Sequence, residues 1–188
     1  MRYFTSDLHF NHKKILEFCP NRPPTLDAMH KEIIAEWNSK VTDEDTVYIL
    51  GDFSFGNSGE TKDMVKQLRG RKVLVMGNHD RRSEQWYLAA GFMVVSKSLL
   101  IKIDEFVVQL SHYPFKLSWL QYLYYKIVDP GYTRYQDRKI KNEAQNLLHG
   151  HCHGKYHTIK GRGIDVGWDS WGKLLSEREI VGYLREMK

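Results

Sequence analysis

Cysteine is scarce in this 188-residue chain: Cys19 and Cys152 are the only two, and their separation fits neither a disulfide framework nor a CxxC pair. Both read as free thiols. Long apolar runs are missing as well. The longest uncharged one, Trp86 to Val95, has ten residues including Gly91, against about 20 needed to cross a bilayer, which excludes membrane insertion. The opening residues, Met1 to Asp7, have neither an apolar core nor a small-residue cleavage site, so a cytoplasmic location is expected. Internal repeats, low-complexity tracts and linkers are absent too, and residues 1–188 read as one domain.

What is present is an ordinary globular composition, 41% hydrophobic and 27% charged. A chain of this size buries roughly 70% of the surface its unfolded form exposes, so it needs no structural metal to fold. Any metal it holds is therefore expected to be functional. A net charge of +5 favours an anionic partner only weakly. The nine histidines are more informative.

Short apolar runs end repeatedly in polar loops. Tyr3-Phe4-Thr5 leads into Asp7-Leu8-His9, Val47 to Leu50 into Gly51-Asp52, and Val73 to Met76 into Gly77-Asn78-His79-Asp80. Unbroken apolar runs bounded by turn residues read as buried strands. Between them, Thr25 to Lys40 places Met29, Ile33, Ile34 and Trp37 on one helical face, and Glu60 to Arg69 does the same with Met64, Val65 and Leu68, stopped by Gly70. The alternation implies a layered α/β fold. Leu99 to Ile103 and Phe106 to Leu110 read as a hairpin around Asp104-Glu105, although its turn lacks the usual glycine. No clean period holds from Tyr113 to Glu143. Asn146-Leu147-Leu148 then runs into His149-Gly150-His151-Cys152-His153, Gly163 to Gly167 suggests a last strand, and Ser176 to Met187 a closing helix with a Ser176/Glu179 capping box.

Five loops thus carry metal-type ligands, each just after an apolar run: Asp7 with His9, Asp52, Asn78 with His79 and Asp80, His112, and His151 with His153. Loops at the carboxyl ends of strands gather in one crevice. Residues two apart in extended chain point the same way, so Asp7/His9 and His151/His153 can each present two donors. Mixed carboxylate, imidazole and carboxamide donors suit a pair of borderline ions such as Mn, Fe or Zn. Taken singly, a strand-end Asp is more often a turn former and a lone His a hydrogen-bonded background residue. Eight such residues in five ordered loops are a different matter.

Asp7-Leu8-His9, Gly51-Asp52, Gly77-Asn78-His79-Asp80, His112 and Gly150-His151-Cys152-His153 resemble, in order, the five motifs of the calcineurin-like metallophosphoesterases. The flanks Ser6 to His12 and Trp37-Asn38 look like small bacterial and phage members, which would place the protein in a host cytoplasm if phage-encoded. The resemblance implies a four-layer α/β/β/α sandwich of two mixed sheets flanked by helices. It further implies that Asp7, His9, Asp52 and His153 bind one metal, that Asp52, Asn78, His112 and His151 bind the other, and that Asp52 bridges. Two divalent ions, Mn first and Fe, Zn, Ni or Co as alternatives, would hold a bridging hydroxide as nucleophile and stabilise charge on the phosphoryl oxygens. His79 resembles the catalytic histidine, with Asp80 as its expected orienter. Asn11, His12 and Arg81 are expected substrate contacts.

His30, His149 and His157 are read as background, Cys152 as an intervening residue directed away from the metals, and Gly51, Gly77 and Gly150 as sites of close backbone approach. The family includes protein phosphatases, nucleotide and cyclic-nucleotide phosphodiesterases, nucleases and lipid-linked pyrophosphate hydrolases, so the rim must decide the substrate. Segment 113–143 is the expected aromatic and basic cap: Tyr113, Phe115, Trp119, Tyr122, Tyr124, Tyr125, Tyr132 and Tyr135 are interleaved with Lys116, Lys126, Arg134, Arg138, Lys139 and Lys141. Such a mixture can stack bases and hold phosphates, and it can equally be a packed cap with a solvated basic face. The expected activity is a phosphodiesterase acting on nucleotides, cyclic nucleotides or nucleic acid, with no membrane and no obligate protein partner. The alternatives are a phosphomonoesterase, including a phosphoprotein phosphatase, for which Arg81 and Arg82 speak, and a catalytically silent metal-binding scaffold, whose expected loss of a ligand or of His79 is not seen.

Overall fold

Strand β1 (Arg2–Thr5) shows why the apolar runs are unbroken: Tyr3 faces one buried cluster and Phe4 the other. The same alternation continues in β2 (Thr46–Ile49), where Val47 and Ile49 join the first cluster and Tyr48 packs against the second, and in β3 (Arg71–Val75), which sends Leu74 and Val75 to opposite sides. A sheet covered on both faces leaves no polar side to its strands. The computed structural model describes residues 1–115, 118–128, 143–154, 158–159 and 163–187. Lys116, Tyr132, Arg134, Tyr135, Arg138, Lys139, Lys141 and His157, and the side chain of Tyr125, lie outside the described residues.

The first sheet runs β10-β1-β2-β3-β4, with β1 to β4 parallel and β10 (Leu175–Ser176) antiparallel at its edge; β4 is Val94–Ser96. The second runs β5-β6-β7-β9-β8: β5 (Leu99–Ile103) and β8 (Thr158–Ile159) pair antiparallel, while β6 (Phe106–Leu110), β7 (Asn146–His149) and β9 (Gly163–Asp165) are parallel. The two mixed sheets are flanked by helices, as the resemblance implied.

Helices α1 (Ile15–Phe18), α2 (Leu26–Lys40), α3 (Ser58–Gln67) and α4 (Glu84–Ala90) bury Ile15, Met29, Ile33, Trp37, Val65 and Tyr87 in the cluster on the outer face of the first sheet. The second cluster joins Phe4, Leu50 and Val75 to Val108, Leu110, Leu148 and Ile164 of the other sheet, and takes Ile180 and Leu184 from the last helix. That helix, α7 (Glu177–Glu186), follows the short α6 (Trp168–Trp171) and β10. Sequence signals locate the caps. Thr25 caps α2 and the Ser176/Glu179 capping box is formed, and an unforeseen one, Asn57 with Glu60, starts α3 two residues before the expected Glu60.

The expected hairpin is formed, and its turn works without glycine because Asp104 itself takes the left-handed conformation, φ +52°, which Asp tolerates better than most side chains. Segment 113–143, where no period was found, contains the ten-residue helix α5 (Trp119–Val128). Its residues are apolar nearly all round, with Trp119, Leu120, Tyr124 and Ile127 exposed, so there is no stripe for a period to show.

Candidate metal centre

The loops after β1, β2, β3, β6 and β7 meet where the two sheets' carboxyl ends adjoin. Parallel pairing continues past the end of β1 into the loops: Asp7 N–H donates to Gly51 O and His9 N–H to Asp52 O, both at 3.0 Å. Asp7, His9, Asn11, Asp52, His151 and His153 all have positive φ, between 47° and 70°, and Asp104 is the only other described non-glycine residue that does. Backbone strain of this kind, of order 1–3 kcal/mol each, persists where the surroundings over-determine it and clusters at functional sites. The ligand pairs therefore point together through left-handed turns, and the extended chain expected from their i, i+2 spacing is not what aims them.

Glycine allows the loops to interlock. A Cβ on Gly51, itself at φ +94°, would lie 2.5 Å from His112 Nδ1, and one on Gly150 would lie 2.3 Å from Asp7 Oδ2. The close approach expected at these positions is thus to ligand side chains.

All seven expected ligands come together. His9 Nε2 lies 3.8 Å from Asp7 Oδ1 and 3.7 Å from Asp52 Oδ2, and His153 Nε2 lies 3.9 Å from Asp7 Oδ1. On the other side, His112 Nε2 is 3.5 Å from Asp52 Oδ2, 3.0 Å from Asn78 Oδ1 and 3.1 Å from His151 Nδ1. Asp52 reaches both groups. His79 Nε2 stands 3.8 Å from Asp52 Oδ2, and its backbone N–H donates to Asp52 Oδ1 at 2.9 Å.

The residues fit a pair of cations. Asp7 Oδ1 and His9 Nε2 are buried with no hydrogen-bond partner, an arrangement that costs free energy unless something else satisfies them. Separations of 3.5 to 3.9 Å are too long for hydrogen bonds, and bonds of about 2.1 Å let two ligands of one ion stand up to about 4.2 Å apart. Asp7, His9 and His153 form one such group, and Asp7, Asp52 and His112 another.

Electrostatics points the same way. Burial, with the charges of Asp7 and Asp80 behind it, pushes Asp52 up to about 7. Burial pushes His9 down to about 3, which leaves a neutral imidazole with an open lone pair. Asp7 is buried too, yet the neighbouring imidazoles of His9, His153 and His112 hold it well below the usual carboxylate range.

Asp80 departs from its expected part. Its carboxylate accepts from the backbone N–H groups of Asp52 (2.7 Å), Gly77 (2.8 Å) and Phe53 (3.1 Å), so it staples the Asp52 loop to the Asn78 loop. The site gains its order from this buried carboxylate through the backbone, whereas the expectation had it orienting the His79 ring.

Sequence reasoning missed two residues. Asp169 Oδ2 lies 2.7 Å from His153 Nδ1, and Arg22 grips both Asp169 oxygens, at 2.7 and 2.8 Å, while donating to the carbonyls of Leu8 and Asp7. A carboxylate on the far nitrogen fixes the tautomer that directs Nε2 at a metal. Burial opposes the charges of this pair, but hydrogen bonding prevails and holds His153 up at about 11 and Asp169 down at about 2, so a cation at Nε2 would have to displace a proton. The available signal was Trp168-Asp169 after the last expected strand, and nothing in the sequence ties it to Arg22.

The background residues have structural work. His30 Nε2 accepts from the Asn11 N–H at 3.0 Å, and Cys152 is fully buried with His149 and Asp165. Among the expected substrate contacts, the His12 ring stacks on Phe55 at 3.6 Å and 5°, Asn11 turns towards Gly56, and Arg81 is exposed at the rim. Of the expected cap, Tyr113 packs against His112 and His151 and Phe115 is buried. Among the described residues, α1 and the loops after β2 and β3 line the rim. They enclose one cavity of about 430 Å³ beside His9 and His153 and a second of about 380 Å³ beside Arg81 and Arg82, both touching Phe55 and His79.

Two facing mixed sheets that bring Asp, His and Asn donors together at their carboxyl ends define a class, the proteins built to hold two divalent cations in a shared carboxylate site. Within that class, the sequence matches the calcineurin-like phosphoesterase family over residues 3–184, and the chain belongs to it. This is a family of dinuclear metal-dependent phosphoester hydrolases. The gene 66 protein of Mycobacterium phage L5 is 32% identical, the match covering 95% of this chain and 91% of that one; its counterpart in phage D29 is 31% identical, with 98% and 97% covered. Among solved structures, the AQ665 protein of Aquifex aeolicus superposes with a TM-score of 0.69 at 28% identity, covering 97% of this chain and 98% of that one. No helix among the described residues is long and apolar enough to cross a membrane.

Proposed function

We propose that the chain is a phosphodiesterase acting on nucleotides or nucleic acid, with Mn as its working metal. The observation that carries the diester reading is the pair of cavities, about 430 and 380 Å³, that flank His79. A phosphodiester has two substituents to place on either side of its phosphorus, and a monoester has one. The carboxylate and carboxamide oxygens of the donor set suit Mn, while its imidazoles suit Fe and Zn as well.

When bound, the ions supply an activated water and positive charge for the phosphoryl oxygens. Asp7, His9, Asp52 and His153 would hold one, and Asp52, Asn78, His112 and His151 the other. The protein's own contribution is placement. Asp52 orders the His79 backbone, and His79 stands beside the ligands, positioned to give a proton to the departing oxygen. The Arg81/Arg82 cavity also lends support to a phosphomonoesterase, because a terminal phosphate dianion matches two guanidinium groups.

The test is turnover of a chromogenic diester and the matching monoester by metal-stripped protein with Mn restored. Mn-dependent preference for the diester is expected, and monoester preference overturns the reading. Asp52→Asn is expected to lower the content of both metals and abolish turnover, read by elemental analysis and rate. His79→Asn is expected to keep its metal yet lose about 100-fold or more in rate, the scale of a general acid.

A further inference from the structure

The two cavities differ in chemistry as well as position. The larger one is walled by Ile15, Phe18, Cys19, Phe55 and His12 beside the metal ligands. Phe18 and Phe55 are 70% and 38% exposed, and Phe55 and His12 already form a parallel ring pair. An exposed aromatic surface of this kind takes a planar, apolar group.

The smaller cavity is lined by Arg81, Arg82, Tyr87, Ser54 and Gly56. Arg82 lies over the Trp86 ring at 4.4 Å and donates one bond to Gly56 O at 3.3 Å. Among the described residues, neither Arg81 nor Arg82 forms a salt bridge with a carboxylate. A guanidinium has five N–H donors, so most of the pair's capacity is left for an anion.

Resting on the diester reading, we infer that these cavities are subsites for one strand of nucleic acid, the Phe18/Phe55 cavity taking a base and the Arg81/Arg82 cavity the phosphate next to the scissile one. His79 stands between them. The preferred substrate is then a short single strand with at least two phosphates, because a cyclic nucleotide fills the first cavity and leaves the second idle.

The test is equilibrium binding of the thymidine dinucleotide pTpT, which carries a terminal phosphate, and of TpT, which lacks it, to the metal-free protein. Wild type is expected to bind pTpT about tenfold more tightly than TpT. Arg81→Gln, a change at an exposed residue, is expected to remove most of that difference and to flatten the salt dependence of pTpT binding. Phe55→Ala is expected to weaken both ligands by about fivefold to 100-fold, the range of one base–aromatic stack.

Equal binding of pTpT and TpT by the wild type overturns the arginine subsite. Unchanged TpT binding by Phe55→Ala, with its thermal transition intact, overturns the base subsite. Because the binding is read without metal, monoester-only turnover in the Mn assay would remove the diesterase reading alone, and the two failures stay distinguishable.

Discussion

Asp169 acts on the site through His153. Its carboxylate holds His153 Nδ1 and is itself gripped by Arg22, which also ties down the carbonyls of Leu8 and Asp7. Asp169→Asn keeps the size of the side chain but loses the charge that fixes the His153 tautomer. It is expected to lower metal affinity by about 10-fold to 100-fold, measured by calorimetric titration of Mn into the stripped protein. A variant that binds Mn like the wild type would show that His153 is positioned by other contacts. Asp80 makes a contrasting case. Its two oxygens satisfy three backbone donors, and Asn offers one acceptor oxygen in their place. Asp80→Asn is expected to cost about 2 kcal/mol in denaturant unfolding, the scale of buried donors left unsatisfied.

At the scale of elements, local sequence chemistry sets where helices begin and turns close. Glu179 closes the capping box of α7 and also meets Lys173 at 2.7 Å. Burial pushes its carboxyl up, but the Lys173 and Ser176 hydrogen bonds prevail and hold it at about 2, below its ordinary 4.5. A group depressed in the folded state stabilises above its unfolded pKa and loses that contribution as pH falls through the folded value. Glu179→Gln, which can still cap, is therefore expected to flatten the loss of stability between pH 4.5 and about 2, measured by urea unfolding across that window. An unchanged pH profile would assign the depression to another acid. In α5, by contrast, no local rule was available, because apolar residues on nearly every side leave a sequence without a face.

The whole molecule balances an unfavourable concentration of buried charge. Asp7, Asp52, Asp80 and Asp165 are all buried around one crevice, with Asp7 Oδ1 and Asp165 Oδ2 lacking hydrogen-bond partners. Cations bound there stabilise the folded state alone, by about 4 kcal/mol when free metal is a thousandfold above its dissociation constant. Stripping the metal with a chelator is expected to lower the thermal midpoint by several degrees, and Asp52→Asn is expected to show a smaller shift, both read by calorimetry. Equal midpoints with and without chelator would mean that the crevice holds no cation under those conditions.

Read alone, the sequence carried the alternation of strands and helices, the hairpin and the Ser176/Glu179 cap, and its resemblance to a known family pointed to the seven donors that the structure brings together. The strands, the hairpin and the cap are written locally, as apolar runs and a capping pair. The motif set was legible by its ordered resemblance to that family, and loops gathering at the carboxyl ends of strands give its convergence a physical reason. Relations between distant segments came only with the folded chain: Asp169 and Arg22 behind His153, Asp80 as a staple between two loops, and Phe18 facing the same cavity as Phe55. No spacing rule connects Arg22 to Asp169 across the chain. Their meeting depends on how two sheets and the short α6 stack, and such contacts exist only once the chain has closed on itself.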